Sequence, residues 1–342
     1  MFGATVNLFS AMAPNVIVSW SSKGPNRDSL RARSGGRAVT DGLKIGVALP
    51  LVDIGGAPET VRHFAQAAED FGYHHLTATD HVIGVNAASR PDWEPGRNTS
   101  EDYFHDPFVL FAYLAGCTTR IGFTTQVMIL SQRQTVLVAK QAASLDVLSG
   151  GRFRFGVGIG WNAMEYTALN ENFSNRGRRS EEQVELMQAL WSERHVTFKG
   201  QWHDVDDAGI NPRPSSGRIP LWFGGHADVT LKRIAKWGDG WVMLSYPPGE
   251  AADAAFAKLK RFAEEAGRDP ADIGIEVWAD TAEGGPDDWK RAAEVWLEAG
   301  VRHVTLNNVY GRYHHKRIKE KTLDAHLRAM EDYRQAIGDL AG

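Results

Sequence analysis

A single (β/α)8 barrel is the fold this sequence predicts, on three observations. From Leu43 onward, short apolar or β-branched runs alternate with longer segments of helical period, the pattern of strand–helix units around a parallel sheet. Eight such units follow one another in about 300 residues, the number that closes a barrel. Neither a composition break nor a proline-rich linker divides them, so a second domain has no support.

The strands are predicted at Lys44–Leu49, His75–Thr79, Arg120–Val127, Phe153–Gly158, Pro220–Phe223, Gly240–Leu244, Ile273–Trp278 and His303–Leu306. The helices that follow them are predicted at Glu59–Phe71, Pro107–Cys117, Thr135–Leu148, Arg179–Trp191, Asp228–Trp237, Ala251–Ala266, Pro286–Ala299 and Leu323–Ile337. Gly72, Gly267 and Gly300 stand just past three of these helices, where a left-handed residue ends the last turn at least cost.

Two segments exceed a simple connection, Val82–Asp106 after strand two and Asn162–Arg178 after strand four. Both follow the C-terminal end of a strand, the face on which barrels of this kind carry their chemistry. A third, His195–Asp207, alternates around Lys199-Gly200-Gln201 and is predicted to be a small structural hairpin before strand five.

Residues 1–42 read differently. They are rich in Ser and Gly, hold Lys23, Arg27, Arg31, Arg33 and Arg37 against Asp28 and Asp41, and show no sustained period. They are expected to be a disordered arm or the product of a start assigned too far upstream, with the barrel occupying 43–342. No basic residue precedes the apolar stretch before Trp20, and Asn7, Pro14 and Asn15 interrupt it, which argues against a signal peptide. No run reaches the length of a transmembrane helix.

Composition narrows the partners. The chain has 342 residues, 38 basic against 42 acidic, and one cysteine, Cys117. Intramolecular disulfides and thiolate metal cages are excluded, and a reducing cytoplasm is expected. No basic stripe offers itself to nucleic acid, and no membrane partner is indicated.

The strand ends carry the functional signal. Strand two ends Thr79-Asp80-His81. Asp80 and His81 are either a cofactor hydrogen-bonding carboxylate with a proton-transfer imidazole, or a loop cap beside a half-buried histidine. Strand three ends in the polar run Thr124-Thr125-Gln126, as a strand facing a ligand would. Strand four alternates Gly156, Gly158 and Gly160, which permits close approach of a planar ligand or a backbone, or serves tight barrel packing. Its match to a dinucleotide fingerprint is weak, because that motif opens a first βαβ unit. After strand five, Gly224-Gly225-His226 precede a helix: either an anion site at a helix N-terminus, or a turn with Asp228 as the cap.

Absences count as well. No lysine stands at a strand end to form a Schiff base, and Gly-x-Ser-x-Gly is missing. His-x-His is missing too, and His74-His75 and His314-His315 are expected to point apart, so no metal site is predicted. What is left is a pocket for a planar, phosphate-bearing cofactor.

On Thr79-Asp80-His81, the stretch from Ala139 to Arg152, Gly156-Val-Gly-Ile-Gly-Trp161, Gly224-Gly225 and Gly238-Asp239-Gly240-Trp241, the chain resembles the luciferase-like superfamily of flavin- and deazaflavin-dependent oxidoreductases. It is most similar to the branch that uses coenzyme F420, a 5-deazaflavin. The resemblance implies a non-prolyl cis peptide at Gln126-Val127 behind the cofactor ring, with Asp80 at the ring's polar edge. Gly158, Ile159 and Gly160 would line one side, and Gly224 and Gly225, with His226 beside them, would hold the phosphate. His81 matches an active-site histidine of deazaflavin members.

Two departures count against a sugar-phosphate substrate. Trp161 occupies the place of a carboxylate that follows the Gly-x-Gly in the sugar-phosphate dehydrogenases, and Val82-Ile83-Gly84-Val85 lacks their tryptophan. Glu165 is expected to pair with Arg176 or Arg178 more than to replace that acid.

The reading that follows is an F420-dependent oxidoreductase exchanging a hydride between the cofactor's C5 and a small organic substrate. His81 moves the proton, with Tyr103 and His105 as alternates. Arg176, Arg178 and Arg179 either meet the cofactor's anionic tail or are a solvated helix start. Trp93, Tyr103, Phe104 and His105 on the covering loop suggest an aromatic or extended apolar substrate, or pack on the barrel rim. An FMN-dependent two-component monooxygenase is the alternative, and a cofactor-binding protein without turnover is a second. The resemblance also implies a homodimer.

Overall fold

A computed structural model describes residues 42–342. The expectation for residues 1–42 falls, but for Gly42, outside the described residues. Eight parallel strands form the barrel: β1 (Lys44–Ala48), β2 (His75–Ala78), β3 (Gly122–Thr125), β4 (Phe153–Gly158), β5 (Leu221–Gly224), β6 (Gly240–Val242), β7 (Gly274–Ala279) and β8 (His303–Leu306). Each pairs with its sequence neighbours, and β8 returns to β1 with Lys44 opposite His303, which closes the ring. Past β3 the chain bends and rejoins β4 over Met128–Ile129.

The helices packed around the barrel are α1 (Pro58–Asp70), α2 (Pro107–Ala115), α3 (Thr135–Ser149), α4 (Arg176–Ser192), α5 (Asp228–Trp237), α6 (Glu250–Glu265), α7 (Pro286–Glu298) and α8 (Leu323–Ala336), with short additional helices at Leu51–Ile54 and Ala163–Ala168. Local chemistry sets their ends. Asp106 accepts from the N–H groups of Phe108 and Val109 at 3.0 and 3.2 Å, and Pro107 supplies a preset φ at the first helical position. Gly72, Gly267 and Gly300 have φ of 81°, 72° and 90°, the left-handed geometry expected past α1, α6 and α7. The hairpin before β5 is present as Val196–Lys199 antiparallel to Asp204–Ala208.

The stretch from Ala139 ends in a fastening at the N-terminal face of the barrel. Arg152 donates to the carbonyls of Ser149, Ile121 and Ala115 at 2.6, 2.8 and 3.0 Å and to the Thr118 hydroxyl at 3.0 Å. Its guanidinium fork thereby ties the start of β4 to the end of α2.

The barrel interior is polar at its centre. Glu276 on β7 has no exposed surface and is reached by His75 from β2, Arg154 from β4 and Thr305 from β8. Side chains from strands across the ring meet only in the lumen. Burial pushes the Glu276 carboxyl up, but Arg154 and His75 outweigh it and hold the group well below the usual range. Trp222 fills the space beside them, because Gly240 and Gly274 leave room: a Cβ there would stand 2.3 and 2.6 Å from its ring.

Candidate active site

Of the segments at the barrel's C-terminal face, two were expected and a third was not: residues 307–322 after β8 form no helix or strand and also sit at the mouth. Sequence periodicity assigned them no role because β8 and α8 flank them cleanly.

At the end of β2, Asp80 and His81 part company. Asp80 is 2% exposed and meets Arg133, with Nη2 to Oδ1 at 2.7 Å and Nε to Oδ2 at 3.3 Å, and it accepts the Ile129 N–H at 2.9 Å. It fixes the chain just past the β3 bend. The His81 ring turns instead toward the insertion after β4, where Nδ1 lies 3.1 Å from Oε1 of Glu165. Gln132 donates to the other oxygen of Glu165 at 3.2 Å. A carboxylate accepts, so Nδ1 carries a proton, and in the neutral ring Nε2 presents its lone pair.

This pairing corrects the expected partner of Glu165. Ala163–Ala168 forms its own short helix, started by Asn162, and it aims Glu165 at the barrel axis. The three arginines do not form a cluster for an anion. Arg176 stacks on Phe173, its guanidinium carbon 3.7 Å from the ring centroid, Arg178 is exposed, and Arg179 is buried against Glu171 and the Ser131 carbonyl.

Beside this pair the Gln126–Val127 peptide is cis, at the position the resemblance implied. The Gln126 amide donates to Glu276 at 2.8 Å and accepts from the Trp278 indole at 2.9 Å, which fixes its orientation. The glycines of β4 answer to the bent continuation of β3. A Cβ at Gly156 would stand 1.9 Å from the Thr125 carbonyl oxygen, one at Gly158 2.7 Å from Val127, and one at Gly160 2.8 Å from Ile129. Their alternation is therefore the tight packing of two strands, and the Gly158 and Gly160 Cα positions are closed off by Val127 and Ile129. The remaining edge of this seam still opens on a cleft, lined by Gly158, Ile159, Ser180, Gly224, Thr230 and Arg233.

That cleft lies at the start of α5. The helix is capped by Ala227, which offers no side-chain acceptor, while Asp228 turns away to Lys258 at 2.9 Å and is not the cap. The first-turn N–H groups thus lack a side-chain partner. Gly225 has φ of 123°, and the Trp241 indole donates to its carbonyl at 2.8 Å, so Trp241 of the Gly238–Trp241 motif holds the turn from beneath. Arg233, 8% exposed, supplies a cation tied to Glu181 at 2.8 Å. Uncapped amides, two hydroxyls and a guanidinium at one helix start make an arrangement that suits a phosphate.

His226 sits beside it with Nδ1 buried and without a partner. Burial lowers its pKa to about 4, so the ring is neutral. Trp241, Tyr246 and Tyr313 surround it with centroids 6.0, 5.8 and 6.0 Å away.

The covering loop splits in two. Tyr103 and His105 turn to the first loop, where His105 lies 2.9 Å from the Gly56 carbonyl, whereas Trp93 and Phe104 converge on Trp161 and His81. His314 and His315 are not splayed as expected. They lie in the loop after β8, where neither strand nor helix geometry applies, with ring centroids 3.8 Å apart. Among the described residues no group of three or more His, Cys, Asp or Glu side chains could hold a metal ion.

The sequence reading missed the Glu276 centre, which had a visible signal: single charges in Ile275-Glu276-Val277 and Phe153-Arg154-Phe155, inside otherwise apolar strands. It also missed Gln132 and Arg133, which lie on a short turn without a pattern of its own.

Known proteins resemble the chain over most of its length. The luciferase-like monooxygenase family model matches residues 36–336. An uncharacterised protein of Mycobacterium tuberculosis is 36% identical over 208 residues, 60% of this chain and 71% of its own. The pyrimidine monooxygenase RutA of Allorhizobium ampelinum is 29% identical over 247 residues, 66% of this chain and 64% of its own. An F420-dependent secondary alcohol dehydrogenase, solved with an F420–acetone adduct, superposes with a TM-score of 0.65 at 19% identity over 86% of this chain and 99% of its own.

Proposed function

We propose that this chain, which belongs to the luciferase-like monooxygenase family, is an F420-dependent oxidoreductase acting on a small organic alcohol or carbonyl compound. The observation that carries the reading is the His81–Glu165 pair: a proton-transfer group at the mouth, oriented by a buried carboxylate. The uncapped α5 start with Arg233 fits the phosphate such a cofactor brings.

A deazaflavin held there supplies a hydride acceptor or donor at C5. This chain's residues do the rest. Gly224, Gly225 and the first turn of α5 hold the phosphate by main-chain N–H groups, with Ser180, Thr230 and Arg233 around it and His226 at the edge. Val127 and Ile159 would form the wall behind the ring, with Gly158 and Gly160 packed beneath it. Asp80 sets that wall through Arg133 and the Ile129 amide. His81 takes a proton from the substrate hydroxyl at Nε2, or returns it, and Glu165 stabilises the imidazolium that results.

A second reading, FMN-dependent oxygenation, is favoured by the likeness to RutA. Titration of the purified protein with F420 and with FMN, followed by quenching of each cofactor's fluorescence, separates the two. Saturable quenching of F420 with turnover of an alcohol or ketone supports the first; tight FMN binding without an F420 response overturns it. Bound F420 that never changes redox state across alcohols, aldehydes and enones would mark a binding protein without turnover.

For assembly we propose a homodimer. Val109 on α2 and Leu137 and Leu148 on α3 are 67%, 52% and 72% exposed on two helices in contact with one another. Light scattering at micromolar concentration tests it, and a monomer refutes it. No described helix is long and apolar enough to cross a membrane.

A further inference from the structure

The cleft at the start of α5 is close to charge-neutral. Arg233, 8% exposed, is the one cation among its lining residues, and Glu181 on α4 answers it at 2.8 Å. Asp228 in the first turn of α5 is met by Lys258 of α6 at 2.9 Å. Arg179, next to Ser180, pairs with Glu171, and Arg133 pairs with Asp80 and Asp106. Lys232 lies over the Phe262 ring. Burial lowers the His226 pKa to about 4, so that ring adds no charge near neutrality. Donors remain all the same. The first-turn N–H groups lack a side-chain cap, and Thr230, 8% exposed, lines the cleft with a hydroxyl that makes no hydrogen bond among the described residues. A buried hydroxyl left without a partner points to an acceptor that arrives with a ligand. The Ser180 hydroxyl gives its proton to the Gly177 carbonyl at 2.7 Å, so it offers an anion lone pairs rather than a donor.

We propose that this cleft selects a singly charged phosphate, a diester, over a doubly charged monoester. The inference rests on the reading that the cofactor's phosphate sits here, and it deepens that reading by naming the ester. N–H and O–H dipoles and an already neutralised guanidinium satisfy one negative charge. A second charge would lose its hydration and find no cation left to meet it. At neutral pH a monoester is close to doubly charged, whereas a diester has no second proton to lose. F420 carries its phosphate as a diester and FMN as a monoester, so the cleft discriminates between the two cofactors by charge, whatever the ring.

Riboflavin, FMN and the methyl ester of FMN test the idea, together with the matching 5-deazariboflavin series. Each is titrated against the full chain by fluorescence quenching at pH 6, 7 and 8. The second ionisation of a phosphate monoester lies near pH 6, so a cleft that admits only the singly charged form loses a monoester by up to about 50-fold from pH 6 to pH 8. In both series the monoester should therefore weaken about 5- to 50-fold relative to its methyl ester across that range. Taking the ratio to the diester cancels titrations of the protein and of the ring. Glu181→Gln leaves Arg233 unanswered and should cut the loss below about threefold. A ratio of monoester to diester that does not change with pH, or a Glu181→Gln variant that keeps the parental loss, overturns the proposal and leaves the phosphate in the cleft. Esters that bind no more tightly than riboflavin and 5-deazariboflavin overturn the phosphate reading of the cleft along with it.

Discussion

Replacing Glu276 by glutamine probes the barrel centre and the site together, because Oε1 of this carboxylate accepts from Gln126 as well as from Thr305 and His75. Glutamine preserves the volume and removes the charge. The Arg154 guanidinium, only 14% exposed, then loses its counter-ion. Breaking a buried pair in this way costs about 3–5 kcal/mol. An unfolding entropy near 2.1 cal/mol/K per residue gives about 0.6 kcal/mol/K for roughly 300 residues, so the melting midpoint should fall by about 5–8 °C. Calorimetry at pH 7 reads the whole effect. The Glu276 carboxyl is depressed in the folded state, so its contribution is complete above the ordinary carboxylate range and disappears only as pH falls through the lowered value. Adding Arg154→Met to the variant removes the orphaned charge and should recover at least half of the loss. An unchanged midpoint in the single variant, or a double variant that melts below it, would refute the reasoning.

Three further outcomes are expected. Glu165→Leu should lower kcat about 100-fold, as far as His81→Gln does, because both remove the oriented base, while the dissociation constant of the cofactor stays within twofold of the parent's; a Glu165→Leu enzyme with parental kcat would reduce the carboxylate to a packing role. Gly156→Ala places a Cβ 1.9 Å from a backbone oxygen and should lower the melting midpoint far more than Gly285→Ala, where a Cβ meets nothing within 4 Å; equal midpoints would contradict the described packing. Burial raises the Glu69 pKa, but N–H groups of Ile121, Arg120 and Thr119 outweigh it and bring it to about 2 from an ordinary 4.5. Its contribution is therefore whole above pH 4.5 and fades toward pH 2, so the gap in midpoint between parent and Glu69→Gln should narrow across that window; a gap that widens on acidification would reverse the sign.

Periodicity carried the barrel well. Phe153–Gly158, His303–Leu306 and Asp228–Trp237 fall where the sequence places them, because each is a contiguous run whose apolar spacing fits one geometry only. The site was legible in part. Asp80, His81 and the glycine doublet are strand-end residues, and a strand end in a barrel has one place to be. Partners brought from elsewhere were not legible: Glu165 reaches His81 across 84 positions and Glu276 reaches Gln126 across 150, separations that no local pattern encodes. The split of the covering loop into a pair facing Gly56 and a pair facing His81 is set by irregular backbone over 79–106, where side-chain direction follows neither period. The loop after β8 escaped for the same reason.

The seam between β3 and β4 works like interlocking teeth, with Thr125, Val127 and Ile129 each seated at a glycine two positions apart. Enlarging Gly158 or Gly160 demands trimming Val127 or Ile129, so drift there proceeds by matched pairs, whereas Gly156 faces a backbone oxygen that no substitution trims. Redesign for new substrates therefore belongs in the segments that overhang the mouth, and libraries that randomise the seam would mostly return unfolded protein.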